Sequence, residues 1–222
     1  MVSTEIINEK ALIIIPAAGF GTRAGSPLAK EMIEDPKTKL PLIHLSLSLA
    51  DRLGYPSLMV TRPEKLPLIE YVQKHFPKTE ILFTEKTREW PESILKSSGR
   101  WKTKNIVVLP DTTFAPFEII ERLDSSLESN QVSLAVHRVA NSNAWGCVER
   151  DGQRLSICEK PQEQEPRTAW GIFGFRKDIG ERVMSLVLDS TFDHKWKQMN
   201  YSSEFFQLEH FEDLTRNKVS SL

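Results

Sequence analysis

Four small residues and two cations near the amino terminus have the types and spacing to bind a polyphosphate. Ala17, Ala18, Gly19 and Gly21 carry little or no side chain, so the backbone there can approach a phosphate or a base and aim N–H groups at it. Thr22 and Arg23 follow, and Lys30 in Lys30-Glu31-Met32 adds a second positive charge. The loop leaves a β-branched run, Leu12-Ile13-Ile14-Ile15, that reads as a strand covered on both faces of a parallel sheet. Ligands bind at the carboxyl edge of such sheets, so the combination reads as a nucleoside triphosphate site. Glycine spacing alone is weak support, since the loop has neither the Walker pattern nor the full dinucleotide fingerprint.

Two further segments add charge at strand ends. In Val107-Val108-Leu109-Pro110-Asp111 a buried strand delivers a carboxylate that can hold Mg2+ against triphosphate oxygens, or can simply cap a turn. In Cys158-Glu159-Lys160-Pro161 adjacent residues at a strand end point in opposite directions, so the carboxylate can meet hydroxyls while the ammonium reaches a phosphate. Taken alone, that pair also reads as a solvated charge pair before a turn.

The string Pro16-Ala17-Ala18-Gly19-Phe20-Gly21-Thr22-Arg23 with the following Lys30-Glu31-Met32 resembles the opening motif of the sugar-1-phosphate nucleotidylyltransferases, especially the glucose-1-phosphate uridylyl- and thymidylyltransferases. The resemblance implies a loop, Ala17 to Arg23, wrapped around triphosphate and base, with Arg23 and Lys30 on phosphates and Asp111 on Mg2+. Pro110 stands where that family usually has a glycine, and the segment between Arg23 and Lys30 is shorter than usual. Trp145-Gly146-Cys147-Val148 with Glu159-Lys160-Pro161 is similar to the family's acceptor segment. By that likeness Gly146 lets the sugar approach, Glu159 takes its hydroxyls and Lys160 its phosphate. Gly171 in Ala169-Trp170-Gly171-Ile172-Phe173 resembles a glycine that sits against the sugar ring, or is an ordinary strand residue. Asp213 in Phe211-Glu212-Asp213-Leu214-Thr215 resembles the second metal-binding aspartate, against a competing helical reading of 209–216, with Asp193 the alternative ligand. The base-selecting segment is unlike the family's, and Thr84 to Leu95 does not reveal which base is bound; Trp90 there is expected to cover the core.

The elements needed to position these residues are legible from periodicity. Strands at Ser57–Thr61, Glu80–Thr84 and Asn105–Leu109 alternate with helices at Pro41–Leu53, Lys65–His75, after Pro91, and at Pro116–Leu127, several begun by proline. From Gln131 the strands crowd together, at Gln131–Arg138, Trp145–Arg150, Arg154–Glu159 and Ala169–Phe175, with Asp151-Gly152 as a hairpin turn. The expected fold is α/β: a Rossmann-like, doubly wound mixed sheet in three α/β/α layers, carrying a small antiparallel β extension for the acceptor. The resemblance places it with the nucleotide-diphospho-sugar transferase fold. One domain over 1–222 is expected, with a nucleotide-binding lobe to about residue 130 and a sugar-phosphate-binding lobe from about 131 to 222.

Composition narrows the partners. A 222-residue chain that is 40% hydrophobic buries a sizeable core without disulfides. With 29 basic and 30 acidic residues and a net charge of −1, general nucleic-acid binding is not expected. No apolar run nears the roughly 20 residues of a membrane span. Cys147 and Cys158 read as core residues, and without a signal peptide the expected location is cytoplasmic. Nothing in the sequence sets the oligomeric state.

The resemblance implies a reaction with no protein nucleophile. A sugar-1-phosphate oxygen attacks the α-phosphorus of a triphosphate, UTP or dTTP being favoured, and pyrophosphate leaves. Alignment and charge neutralisation by Mg2+, Arg23, Lys30 and Lys160 are what the protein supplies. The alternatives are a cytidylyltransferase for another phosphorylated or sugar-acid acceptor, against which Glu159-Lys160-Pro161 argues, and a catalytically weak nucleotide-sugar-binding regulatory homologue.

Overall fold

The computed structural model describes residues 9–19, 29–152 and 154–215. Arg23, Gly21 and Thr22 of the expected nucleotide loop lie outside the described residues.

Four parallel strands form the first half of the sheet: β1 (Leu12–Pro16), β2 (Ser57–Thr61), β3 (Glu80–Phe83) and β4 (Lys104–Val108). Their order is β4-β1-β2-β3, and β1 is paired on both sides, which is why it tolerates an unbroken apolar run. The crossovers are α1 (Leu42–Arg52) and α2 (Leu66–His75), followed by the short α3 (Trp90–Lys96). Pro67 and Pro91 occupy early helical positions of α2 and α3, where a missing N–H costs nothing.

The chain then reverses direction. After β4 come β5 (Thr112–Ala115), α4 (Ile119–Ser126), β6 (Val132–Val139), β7 (Gly146–Asp151), β8 (Arg154–Glu159) and β9 (Arg167–Arg176). Ten-residue β9 runs antiparallel to β4 along 172–176 and to β6 along its whole length, and meets β7 where Ala169 faces Cys147. The β7–β8 hairpin turns at Gly152, whose φ of +58° suits glycine. Next come α5 (Lys177–Asp193), β10 (Lys197–Met199) beside β8, β11 (Ser203–Gln207) parallel to β6, and β12 (His210–Asp213), which pairs with β5 in a separate two-stranded sheet.

The sheet is covered on both faces, as a doubly wound sheet requires. Ile43 and Leu47 of α1, Leu68 and Val72 of α2, and Ile119 and Leu123 of α4 pack on one side with Ile13, Ile15 and Ile106. Ile94 of α3 and Val183, Met184 and Val187 of α5 pack on the other with Ile14, Val107 and Phe173. The three-layer α/β/α expectation therefore stands.

Three readings change. The competing helical reading of 209–216 fails over its described residues, because His210 to Asp213 form a strand held in register by Thr112 to Ala115. The helix expected from Pro116 begins at Ile119. The 17-residue α5 occupies a stretch where no element was expected. Among the described residues, no helix is long and apolar enough to cross a membrane.

Candidate active site

The carboxyl edge of β1 and β4 gathers the first group of residues. Ala17 and Ala18 are fully buried where the chain leaves β1, and a Cβ at Gly19 beyond them would meet none of the described residues within 4 Å. β4 stops at Val108, two residues before Pro110, which has no N–H to continue the ladder. The turn that follows is fixed by the Ser46 and Thr112 hydroxyls, each donating to the Leu109 carbonyl at 3.1 Å. Asp111 emerges from that turn only 5% exposed.

Lys30 reaches Asp111 across the edge. It sits in a 3-10 turn, Lys30–Met32, and its Nζ lies 2.8 Å from Asp111 Oδ2. Burial opposes the ammonium charge, but Asp111, with smaller help from Glu31 and Asp213, outweighs it and raises the Lys30 pKa above its usual value. Asp213 arrives from the far end of the chain because β12 pairs with β5, setting Asp213 opposite Thr112. Thr215 Oγ1 donates to Asp213 Oδ1 at 2.6 Å and approaches Asp111 Oδ2 at 3.5 Å, so the two carboxylate oxygens are no farther apart than the sum of those distances. The Leu214 N–H donates to the Asp111 carbonyl at 2.9 Å and locks the two segments together. Asp193 lies elsewhere, capping the end of α5 through the Lys195 N–H and pairing with Lys197, so it is not the second carboxylate of this cluster.

The acceptor-side residues gather on the β7–β8 hairpin. Gly146 and Glu159 are opposite each other in the ladder. The Glu159 N–H donates to Ser190 Oγ of α5 at 2.8 Å, and its carboxylate, in a residue 4% exposed, accepts from Trp170 Nε1 at 2.8 Å. A Cβ at Gly146 would overlap both Trp170 Nε1 and Glu159 Oε1, so the glycine makes room for an indole–carboxylate hydrogen bond within the protein. Lys160 leaves the strand with φ of +53°, its N–H held by the Trp145 carbonyl at 2.9 Å, and its Nζ is 3.9 Å from Glu89 Oε2. The strand-end geometry thus separates the pair: Glu159 goes into the interior, and Lys160 points toward Glu89 in the nucleotide half.

At Gly171 the geometry favours the ordinary-strand reading over the sugar-facing one. A Cβ there would lie 2.5 Å from Phe211 Cε2 and 2.9 Å from Leu208 Cδ1, so the space its missing side chain leaves is filled by the segment carrying β12. Gly171 admits Phe211, which stacks on His137 at 4.4 Å and meets Trp145 edge-on at 5.9 Å, and so helps seat Asp213. Trp90 packs on Trp170, with ring centroids 4.9 Å apart, and covers the core.

Sequence reasoning passed over several residues. Glu31 and Lys65 form a fully enclosed ion pair behind Lys30. Thr215 joins the two aspartates and Trp170 holds Glu159, while Glu89 faces Lys160. Glu31 has a local signal in its place inside Lys-Glu-Met and Thr215 in its place two residues after Asp213, whereas Lys65, Trp170 and Glu89 have none, since each works through a contact that forms only in the tertiary structure.

Comparison with known proteins agrees with this architecture. The profile of the family described as nucleotidyl transferase matches residues 12–203, spanning β1 through the start of β11. A 2-C-methyl-D-erythritol 4-phosphate cytidylyltransferase from Leptospira interrogans serogroup Icterohaemorrhagiae serovar copenhageni is 23% identical over 188 residues, 83% of this chain and 76% of the relative. HddC from Yersinia pseudotuberculosis superposes with a TM-score of 0.70 at 19% identity, covering 92% of this chain and 94% of that one; a second structure of it holds GMP-PN. A protein assigned as a glucose-1-phosphate thymidylyltransferase from Bacillus anthracis, crystallised with sucrose, gives 0.71 at 12% identity over 92% of this chain and 90% of its own. The structural likenesses concern the fold, and the profile match extends over most of the chain: the chain belongs to the nucleotidyl transferase family.

Proposed function

We propose that the protein joins a nucleoside triphosphate to a sugar-1-phosphate, releasing pyrophosphate and a nucleoside diphosphate sugar. The observation that carries this reading is the convergence of Lys30, Asp111 and Asp213 at one strand edge.

In the proposed reaction an acceptor phosphate oxygen forms a bond to the α-phosphorus while the bond from that phosphorus to the leaving pyrophosphate oxygen breaks. The attacking oxygen is already anionic, so no general base is needed. Lys30, with Arg23, offers positive charge to the triphosphate, and a pre-positioned cation in a partly dry edge stabilises the developing charge more than water would. Lys160 holds the acceptor phosphate. Glu159, oriented by Trp170, takes an acceptor hydroxyl.

The residues fit a magnesium ion. Two carboxylates, Asp111 and Asp213, meet around one hydroxyl, and magnesium is bound by one or two carboxylates plus substrate phosphates. When bound, the ion would neutralise triphosphate oxygens and so ease departure of pyrophosphate.

A second reading, a cytidylyltransferase acting on a phosphorylated polyol, is favoured by the 23% identity to the Leptospira protein. Pyrophosphate release is the test, with UTP, dTTP, CTP, GTP and ATP each offered against hexose-1-phosphates and polyol phosphates with Mg2+. Turnover with UTP or dTTP and a sugar-1-phosphate supports the first reading. Turnover confined to CTP and a polyol phosphate would replace it, and no turnover with any pair would favour a binding protein.

A further inference from the structure

We infer that Lys65 and Glu31 are positioning residues that aim Lys30 at the triphosphate, an inference that rests on the nucleotidyl-transfer reading. Lys65 is the residue before α2, and its Nζ donates to the Ala17 carbonyl at 2.7 Å and to both Glu31 carboxylate oxygens at 3.0 Å. An ammonium has three donors, and these three acceptors match that number. With Lys65 only 6% exposed, its charge is held inside the protein and is not presented to a ligand.

The two ends of one segment meet at this ammonium. Ala17 is where the chain leaves β1, held also by its N–H to the Val60 carbonyl at 2.7 Å. Glu31, 0% exposed, stands beside Lys30 in the same 3-10 turn. Consecutive residues of that turn point to different sides: Glu31 goes inward to Lys65 and Lys30 goes out to Asp111. Fixing the first side chain therefore fixes the origin of the second.

The energetics favour a functional reason for the pair. Taking two charges out of water is costly, and apolar residues of similar volume commonly serve a core as well or better. Here the pair lies beside the phosphate-facing edge, and what it supplies that an apolar pair would not is a three-point attachment of the turn to Ala17. A cation displaced by an ångström from its productive position loses much of its effect on a reacting phosphate.

The test is a double-mutant cycle on triphosphate affinity, read by calorimetry with UTP, dTTP, CTP and GTP, and on steady-state kinetics. Lys65→Met/Glu31→Met removes both charges together, so no buried charge is left unpaired and the melting temperature is expected to stay near that of the parent. Triphosphate affinity should nonetheless fall about 10-fold with acceptor KM unchanged, and the same swap in a Lys30→Ala background should cost nothing further. Parental affinity in the Met/Met variant, or losses that simply add to that of Lys30→Ala, would overturn the inference while leaving the proposed function intact. Lys65→Arg is the second variant, should Met/Met not fold: its planar fork keeps the charge but cannot reproduce the three-point arrangement, so affinity should fall again, and parental affinity refutes the role. A parent protein that binds none of the four triphosphates would bring down the proposed function and this inference together.

Discussion

Lys30 and Asp111, 81 residues apart in sequence, form a 2.8 Å ion pair at the edge where β1 and β4 end. The cation expected to face phosphate and the carboxylate expected to face a metal are therefore one unit. Lys30→Ala and Asp111→Asn should each lower turnover by about 100-fold, the scale of losing one pre-organised charge-stabilising group. The double variant should be little worse than either single, as for residues acting together. Initial rates of pyrophosphate release measure this, and multiplied losses would show the two to work independently.

Asp213 joins that unit through Thr215. Asp213→Asn should abolish most activity, whereas Thr215→Val, which removes the hydroxyl between the carboxylates but neither carboxylate, should cost less and should raise the Mg2+ concentration needed for half-maximal rate. A Thr215→Val enzyme with an unchanged magnesium dependence would argue against a shared site for Asp111 and Asp213.

On the acceptor side the indole N–H of Trp170 is the group to remove. Trp170→Phe keeps an aromatic ring against Trp90 but takes a donor from a buried carboxylate, a loss of about 1 to 3 kcal/mol when such a group goes unsatisfied. The expected outcome is a higher acceptor KM with triphosphate affinity unchanged, checked by varying one substrate at a time. Gly146→Ala, which overlaps Trp170 and Glu159, should be destabilised by about 1 to 3 kcal/mol through overpacking, visible in thermal melts. Parental stability in Gly146→Ala would mean the indole moves easily.

Lys160 and Glu89 form a weaker contact, 3.9 Å long and about a quarter exposed on each side. Such pairs contribute about 1 kcal/mol or less. Glu89→Gln should accordingly change the acceptor KM by at most a few-fold, while Lys160→Ala should raise it about 10-fold or more with triphosphate binding intact. Equal effects of the two substitutions would show that the ion pair, rather than contact with a phosphate, is what Lys160 provides.

The two thiols give a pH prediction. Cys147 and Cys158 face each other across β7 and β8, fully buried, and burial pushes them up to about 12 and about 11 from an ordinary 9.0. Because the folded state favours the neutral thiol, the stability they contribute is complete below pH 9.0 and declines as pH rises toward those values. Labelling with a thiol–disulfide reagent at pH 8 should be slow without denaturant and fast with it. Rapid labelling of the native protein would refute this.

How much of this was legible in the sequence follows from the range of the forces involved. Strands β1, β2 and β8 were readable to within a residue, because an apolar or alternating run bounded by turn residues is a local signal and pairing only ratifies it. Pro110 announced the end of β4, and Gly152 the hairpin, for equally local reasons of backbone geometry. Residue chemistry also pointed to an anion site at the end of β1, since small residues let backbone N–H groups approach a phosphate and the following cations supply charge.

What tertiary structure alone decided is which groups meet. A helical reading competed for the segment around Asp213, and His210 to Asp213 instead form strand β12 because β5 offers a partner edge. That pairing, more than 90 residues across, is what brings Asp213 to Asp111, and it fills the space at Gly171 with Phe211. The burial of Lys65 against Glu31 and the hold of Trp170 on Glu159 are likewise contacts between distant segments. A sequence specifies residue types and local periodicity directly, whereas the desolvation and charge pairing that give Lys30, Glu31 and Glu159 their separate tasks exist only once the sheet has brought their partners within hydrogen-bonding distance.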